Sequence, residues 1–237
     1  MPSEPVLQVA GLHAGYGRTP VLRGIDMTIR KGEIVSLIGR NGVGKTTTMR
    51  CLIGLLPATS GQILFQGRPI TGPPADERAR LGIGYIPQGR QVFPRMTVEE
   101  NIWVSRLATR DRDRRLTELV YQYFPILKER RRQSAGTLSG GEQQQLAIGR
   151  AMVGNPSLML LDEPSEGIQP SIVQMICDVL KSVRDQLGTT ILFVEQNLDT
   201  IMAISERCYV ADKGAIVGEI GADRLRTREA VRQYLLI

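Results

Sequence analysis

Residues 39–46 carry the clearest chemistry in the sequence, because they read G-R-N-G-V-G-K-T and match the phosphate-loop pattern G-x-x-x-x-G-K-[ST] without a mismatch. Glycines let successive backbone N–H groups curve around phosphates, and the helix that follows adds the positive end of its dipole. Lys45 would bring an ammonium to the outer phosphates, and the Thr46 hydroxyl would ligate Mg²⁺. The pattern predicts a nucleoside triphosphate site formed by Gly39, Arg40, Asn41, Gly42, Val43, Gly44, Lys45, Thr46 and Thr47.

A pair of carboxylates, Asp162 and Glu163, ends the apolar run 158–161. Ligands of a parallel sheet collect at the carboxyl ends of its strands, so we expect Asp162 to help hold Mg²⁺ near Thr46. Glu163 points elsewhere and is free to orient and polarise the attacking water as a general base. By itself, an apolar run that ends in Asp-Glu indicates only a strand meeting a polar turn. In combination with the phosphate loop it indicates triphosphate hydrolysis.

A second anion-binding helix end is predicted at 138–142, which reads L-S-G-G-E. Ser139 and Glu142 have the spacing of a capping box, which is a common way to start a helix. Capping does not require Gly140 and Gly141, whereas glycines at a helix N-terminus allow the close approach of an anion. The sequence therefore offers two such helix ends, which is more than one triphosphate on one subunit needs.

Apolar periodicity predicts the elements that must position these groups. Strands are predicted at 7–12, 21–29, 33–38, 61–65, 83–86, 158–161 and 189–194. Helices are predicted from the phosphate loop to residue 55 and at 97–108, 112–130, 142–153, 170–187 and 198–205. A strand-rich start, a helical middle and a return to alternating strands and helices indicate a largely parallel sheet covered by helices, with an inserted helical subdomain.

Composition excludes several classes of protein. The chain has 237 residues, of which 42% are hydrophobic and 23% are charged, as is typical of a globular domain. No apolar run approaches the roughly eighteen residues that cross a bilayer, and the N-terminus lacks a signal-peptide pattern. The three cysteines and the single histidine have no metal-site spacing. We expect a cytosolic protein without a structural zinc site.

The net charge of +6 is concentrated in part between Arg110 and Arg132, where eight basic residues stand against four acidic ones. Two interpretations stay open. A basic face could meet nucleic acid, anionic lipid or the acidic loops of a partner, but such a run is more often a solvated helix face. The aromatic residues of this segment have the spacing of a helix core rather than the pattern that stacks bases.

In combination, the ordered motifs resemble the nucleotide-binding subunits of ABC transporters over essentially the whole chain. Residues 138–142 match the family's signature sequence, which other phosphate-loop enzymes lack. The resemblance implies that Gln88 reaches the metal and the attacking water and that Tyr16 stacks on adenine. Residues 165–167 would lie at a dimer seam. The implied cofactors are ATP and Mg²⁺, and the implied metal ligands are Thr46, Gln88 and Asp162.

The resemblance also implies a fold of the α/β class. A phosphate-loop NTPase core would have a mostly parallel sheet with helices on both faces, an N-terminal antiparallel β subdomain and an inserted helical subdomain. The whole of 1–237 would be a single ATPase domain. The nucleotide-binding core would comprise 1–88 and 156–237, and the helical subdomain would comprise 89–155.

The family explains the surplus anion site. Two subunits are expected to meet head to tail, so that each ATP lies between one subunit's phosphate loop and the other's Ser139, Gly140 and Gly141. The nucleotide then favours the closed pair, because only that state completes its contacts.

One catalytic position departs from the family's pattern. Gln196 stands where many members have a histidine that touches the γ-phosphate. A glutamine amide can donate a hydrogen bond but cannot gain or lose a proton near neutral pH. We therefore expect catalysis to depend on Glu163, with Gln88 and Gln196 beside it.

Several stretches resemble particular branches of the family. Residues 87–90, 93–101 and 194–197 resemble importers of branched-chain and other hydrophobic amino acids. Residues 39–43 and 166–170 resemble the related urea and short-amide branch. None of these stretches touches a transported solute, so the sequence leaves the substrate open between the two branches.

The resemblance implies a peripheral subunit at the cytoplasmic face of the inner membrane. Its partners would be integral-membrane permease subunits, contacted through about 88–101, and a second ATP-binding subunit, identical or related. An extracytoplasmic solute-binding protein would take part indirectly, and no nucleic acid is expected. The alternative is a soluble family member that acts on nucleic acid or ribosomes through the basic segment. Such proteins usually carry two cassettes or long insertions in one chain, and this chain carries one cassette.

Overall fold

The structure of the chain is a computed structural model that describes residues 4–107, 114–225 and 227–236. The strands are β1 (Pro5–Tyr16), β2 (Thr19–Arg30), β3 (Ile34–Ile38), β4 (Ser60–Phe65), β5 (Arg68–Pro69), β6 (Ile83–Ile86), β7 (Leu158–Asp162), β8 (Thr190–Val194), β9 (Arg207–Asp212) and β10 (Ala215–Ile220). The α-helices are α1 (Lys45–Ile53), α2 (Ala75–Arg80), α3 (Val98–Leu107), α4 (Arg114–Tyr123), α5 (Pro125–Glu129), α6 (Gly140–Met152), α7 (Pro170–Leu187), α8 (Leu198–Ile204), α9 (Ala222–Leu225) and α10 (Arg228–Leu236).

The N-terminal part forms the antiparallel sheet that the family resemblance implied. Its strand order is β2-β1-β4-β5. Strand β2 buries Ile25, Met27 and Ile29 and leaves Asp26 exposed between them, which is the period of a strand with one covered face. This sheet packs with α1 and one face of the larger sheet in a single apolar cluster.

The larger sheet has the order β10-β9-β3-β8-β7-β6. Its neighbouring strands are parallel except at the β9–β10 edge, which is antiparallel. The register sets Val194 beside both Leu37 and Asp162. Because β3, β7 and β8 therefore end at the same level, the segments that leave them emerge side by side, where parallel sheets form their sites.

Helices cover both faces of this sheet, which confirms the predicted layers. In β8, Ile191 and Phe193 pack with α6 and α7 on one side, whereas Leu192 and Val194 pack with α1 on the other. A strand buried on both faces reads as a continuous apolar run, and for that reason β3, β7 and β8 could be predicted from the sequence.

Helices α3 to α6 lie between β6 and β7, where the sequence predicted a helical insertion. The predicted subdomain boundaries at 88/89 and 155/156 stay a prediction. Among the described helices, none combines the length and apolarity that a bilayer crossing requires.

The predicted single helix over 112–130 is wrong. Within the described residues, α4 ends at Tyr123 and α5 begins at Pro125, with Phe124 between them at φ −127° and ψ 75°. A residue that precedes proline is disfavoured in the helical region, so the chain must break at Phe124. Part of the basic segment, 108–113, lies outside the described residues.

Other elements were not predicted at all. They are β5, β9, β10, α2, α9 and α10. Strand β9 reads R-C-Y-V-A-D and is buried from Cys208 to Ala211, but a run this short between polar residues cannot be told from the end of a helix. Helix α6 also starts at Gly140, two residues before the predicted start.

Candidate active site

The phosphate loop leaves β3 and passes directly into α1, in the order that the sequence predicted. Gly39, Gly42 and Gly44 have φ values of 149°, 79° and 106°, which residues with side chains rarely adopt. A Cβ on Gly39 would lie 2.4 Å from the Ala211 carbonyl oxygen, and one on Gly44 would lie 2.8 Å from the Leu22 side chain. The loop can therefore curl only with glycine at these two positions, which is the cradle that a triphosphate needs.

Lys45 is buried beneath the loop that it follows. Its Nζ donates to the carbonyl oxygens of Gly39 at 2.7 Å and Arg40 at 2.8 Å. Burial lowers the pKa of the Lys45 ammonium, and the negative charge of Glu163 opposes that shift. An ammonium has three N–H donors, so one remains for a phosphate oxygen while two hold the loop.

Asp162 ends β7 and is only 1% exposed. The Thr46 hydroxyl donates to its Oδ1 at 3.1 Å, and the Tyr85 hydroxyl donates to its Oδ2 at 3.4 Å. Burial raises the pKa of the Asp162 carboxyl to about 6, although the bond from Thr46 opposes the rise. Burial, assisted by the Asp162 charge, also raises the pKa of the Tyr85 hydroxyl. A nearby cation would stabilise the ionised form of a carboxylate that is solvated so poorly.

The donor atoms here fit Mg²⁺. Thr46, Asp162 and Gln88 offer hydroxyl, carboxylate and amide oxygens, which are the ligands that this hard cation prefers. In the described parts of the chain, no group of three or more His, Cys, Asp or Glu residues could hold a metal.

Glu163 has a left-handed backbone, with φ at 49°, an uncommon conformation for a residue with a side chain. Its amide donates to the Val194 carbonyl oxygen at 3.0 Å. Its Oε1 accepts from Gln196 Nε2 at 2.6 Å and its Oε2 accepts from Gln88 Nε2 at 3.3 Å. The two glutamine side chains thus hold the carboxylate between them. Neither glutamine amide can gain or lose a proton near neutral pH.

A cleft of about 590 Å³ joins these groups. Its lining residues are Val21, Asn41, Gly42, Gly44, Lys45, Thr46, Thr47, Gln88, Glu163, Glu166 and Gln196. The structure therefore brings the predicted catalytic residues to the predicted phosphate loop. Gly39, Arg40 and Val43 belong to the same loop, and Asp162 reaches the cleft through its bond with Thr46.

Tyr16 lies at the end of β1 and is 45% exposed. Its hydroxyl accepts a hydrogen bond from Arg50 Nη1 at 3.2 Å, which ties the ring to helix α1. It is not among the residues that line the cleft, so the predicted stacking on adenine stays a prediction.

The signature stretch forms the capping box that its sequence allows, while its role as an anion-binding helix end stays a prediction. Ser139 Oγ accepts from the Glu142 amide at 3.4 Å, and Glu142 Oε2 accepts from the Ser139 amide at 2.7 Å, so the capping box is present. A Cβ on Gly140 would lie 2.9 Å from Arg90 Nη1, the end of a flexible side chain. Neither Ser139, Gly140 nor Gly141 lines the cleft of the same subunit.

Sequence reasoning missed the role of Glu195. This buried residue accepts from the Ser165 amide and hydroxyl at Oε2, at 3.2 and 2.7 Å, and from the amides of Gln196 and Asn197 at Oε1, at 2.8 and 3.0 Å. It joins the loops that follow β7 and β8. The available signal was an acidic residue directly after a fully apolar strand, because a buried carboxylate must find donors.

The model of the ABC transporter family matches residues 22–166. The chain belongs to the ABC transporter family. It is the ATP-binding ATPase component of that family, and the nucleotide that the cradle takes is ATP.

Relatives within the family match nearly the whole chain. It is 43% identical over 223 residues to the high-affinity branched-chain amino acid transport ATP-binding protein BraG of Pseudomonas aeruginosa, covering 93% of this chain and 95% of the relative. It is 35% identical over 225 residues to the probable branched-chain amino acid transport ATP-binding protein LivF of Archaeoglobus fulgidus, covering 94% and 95%. A crystal structure of the ADP conformation of an ATP-binding cassette matches with a TM-score of 0.82 at 26% identity, covering 99% of this chain and 100% of that one.

Proposed function

We propose that this ABC ATPase hydrolyses MgATP to power the uptake of branched-chain or related hydrophobic amino acids, or of urea and short amides, through a membrane permease. The identity of 43% with a branched-chain amino acid transport ATP-binding protein supports the amino acid branch. The chain would sit at the cytoplasmic face of the inner membrane, with permease subunits, a second ATP-binding subunit and, indirectly, an extracytoplasmic solute-binding protein as its partners.

The observation that carries the catalytic part is the arrangement around Glu163. Its carboxylate lies in the cleft and accepts from Gln88 and Gln196, so it is oriented while remaining a proton acceptor. It polarises the attacking water as a general base. Gln196 has no proton to exchange near neutral pH, so it orients Glu163 and donates to the γ-phosphate.

The negative charge on the outer phosphates would be stabilised by N–H donors of the phosphate loop and of Lys45. Lys45 offers its third N–H, and the loop's backbone amides offer the rest. Thr46, Asp162 and Gln88 would hold Mg²⁺. When bound, that ion would supply positive charge that offsets the negative charge developing on the phosphates.

The second subunit would complete the site from the other side. Ser139 is the N-cap of α6 and Gly140 and Gly141 begin it, and none of the three lines the cleft of its own subunit. The start of α6 would therefore be available to a partner's phosphate. Tyr16 would stack on the adenine.

The segment 88–101 remains our candidate for the permease contact. Phe93 and Trp103, which follows the segment in α3, are 40% and 54% exposed, while Asn101 is buried and fixes the loop by exchanging hydrogen bonds with the Phe93 backbone at 2.9 and 3.0 Å. The Arg150 guanidinium lies 4.4 Å from the centre of the Phe93 ring. A rigid loop that displays aromatic side chains suits a docking surface.

Replacement of Glu163 by glutamine tests the catalytic part. Glu163→Gln keeps the side-chain size but removes the base, so we expect phosphate release to fall by about 10²-fold or more while ATP binding measured by calorimetry is retained. The exposed Glu77→Gln, on α2, controls for the loss of one negative charge. Near-normal hydrolysis by Glu163→Gln would refute the assignment of the base.

Reconstitution tests the transport part. We expect the chain to copurify with polytopic membrane subunits and to drive ATP-dependent uptake of leucine or urea into vesicles that contain them. A salt-dependent gel shift with RNA or DNA, without such copurification, would contradict the proposal and favour the soluble alternative.

A further inference from the structure

Glu166 lines the same cleft as Glu163, three residues further along the chain. Its Oε2 accepts from Gln88 Nε2 at 2.9 Å, which is shorter than the 3.3 Å between the same nitrogen and Glu163 Oε2. A glutamine amide nitrogen carries two hydrogens. Gln88 therefore has one N–H for each carboxylate, and the shorter of the two bonds goes to Glu166.

The two carboxylates fix which end of the Gln88 amide faces them. An ionised carboxylate only accepts hydrogen bonds, so the NH₂ group must point toward Glu163 and Glu166. The amide oxygen must then point away from both. That oxygen is the only side-chain atom of Gln88 that can ligate a cation. The two carboxylates therefore control how the ligand atom is presented, and Glu166 makes the shorter of the two contacts.

Glu166 is itself held by a neighbour. Arg90 Nη2 donates to the Glu166 carbonyl oxygen at 2.9 Å, and the same guanidinium lies over Gly140. Residues 89–91 all have positive φ, at 77°, 70° and 45°, which is costly for the two that are not glycine. A segment wound in this way persists only where its surroundings hold it, and the bond from Arg90 to Glu166 is one such restraint.

We propose that Glu166 is a positioning residue that orients the Gln88 amide, so that its oxygen is offered to the metal of the bound nucleotide. The inference rests on the proposed function, in which Gln88 belongs to the Mg²⁺ site. Carboxylates hydrogen-bonded to a metal ligand orient it and strengthen binding, and their removal typically costs about 10- to 100-fold in metal affinity.

Glu166→Gln is the informative substitution. The glutamine side chain has nearly the same size, but its amide can both donate and accept a hydrogen bond. It therefore no longer dictates the direction of the Gln88 amide. Calorimetry with a non-hydrolysable ATP analogue, in Mg²⁺ and in EDTA, measures binding without turnover. We expect the affinity in Mg²⁺ to fall about tenfold and the affinity in EDTA to match that of the unmodified chain. Glu77→Gln should match the unmodified chain in both conditions.

A double-mutant cycle separates positioning from structural damage. In a Gln88→Ala background, Glu166→Gln should produce no further loss in Mg²⁺, because the amide that Glu166 orients is gone. An equal loss in Mg²⁺ and in EDTA, a full loss in the Gln88→Ala background, or no loss at all would each overturn the proposal. Absence of any binding of the analogue by the unmodified chain would instead refute the proposed function.

Discussion

Asp162 is a carboxylate in a place where the fold solvates it poorly. Burial raises its pKa to about 6 from an ordinary value of 3.8. A carboxyl group whose pKa is higher in the folded chain than in the unfolded chain lowers the free energy of unfolding once the pH exceeds the unfolded-state pKa. This loss of stability grows with pH and reaches its full size above the folded-state pKa. At one pKa unit per 1.36 kcal/mol, the charge costs up to about 3 kcal/mol at pH 8. The Asp162 charge thus lowers the stability of the fold, and a bound cation would offset that cost.

Asp162→Asn removes this charge at nearly constant size. We expect it to raise the free energy of unfolding, measured by urea denaturation in EDTA, by about 2 kcal/mol at about pH 8. The advantage should shrink as the pH falls through 6 and vanish near pH 4, where the carboxyl is protonated in both states. A difference that does not change with pH would show that hydrogen bonding, and not charge, sets the effect.

Helix α1 connects the phosphate loop to a buried arginine. Arg78 is 2% exposed and its guanidinium donates to the carbonyl oxygens of Cys51 and Leu52 in the last turn of α1, at 2.6 and 2.9 Å. It also donates to the carbonyl oxygens of Thr71 and Pro73, both at 2.9 Å. The last carbonyls of a helix lack partners within the helix, so Arg78 caps α1 from outside and complements its negative end.

Arg78→Met should destabilise the chain strongly. Four carbonyl oxygens lose a donor, and unsatisfied buried groups cost about 1–3 kcal/mol each, so we expect a loss of about 3–5 kcal/mol after relaxation. Arg78→Lys should recover only part, because one ammonium cannot reach all four oxygens. The control is Arg80→Met, which breaks an exposed pair with Asp76 and should cost less than about 1 kcal/mol. Urea denaturation compares the three variants, and similar losses for Arg78→Met and Arg80→Met would contradict the capping role.

Elements with a strong local signal could be predicted from the sequence. Strands β3, β7 and β8 are fully buried and mostly apolar, and the glycine pattern marks the start of α1. The contacts of Arg78 with α1 and of Glu166 with Gln88 join residues far apart in the chain, 26 to 78 positions away, so local patterns could not reveal them. The break at Phe124 was readable, because Pro125 follows it.

At the scale of the molecule, the two helix ends that the sequence predicts to bind anions belong to different surfaces. The start of α1 lines the cleft, whereas Ser139 at the start of α6 does not. One subunit therefore leaves α6 without the phosphate that its glycines suit. A head-to-tail pair would use both ends.

Ser139→Asp tests this pairing. Aspartate keeps the N-cap of α6 but adds a negative charge where the partner's triphosphate would lie, and like charges at an interface cost several kcal/mol. In a Glu163→Gln background, we expect ATP to produce a dimer by light scattering, and Ser139→Asp to weaken it by about tenfold or more. Ser139→Thr, which keeps a neutral cap, should still dimerise. Unchanged dimerisation of Ser139→Asp would exclude Ser139 from the interface.

The bridge made by Glu195 has a mechanical consequence. One of its oxygens holds the turn at Ser165 and the other holds the backbone of Gln196, whose side chain grips Glu163. Neither loop can shift without straining bonds in the other. If a partner subunit meets residues 165–167, as the family resemblance implies, a shift that it imposes at Ser165 would pass through Glu195 and Gln196 to Glu163. The timing of bond cleavage would then depend on how well the partner is docked.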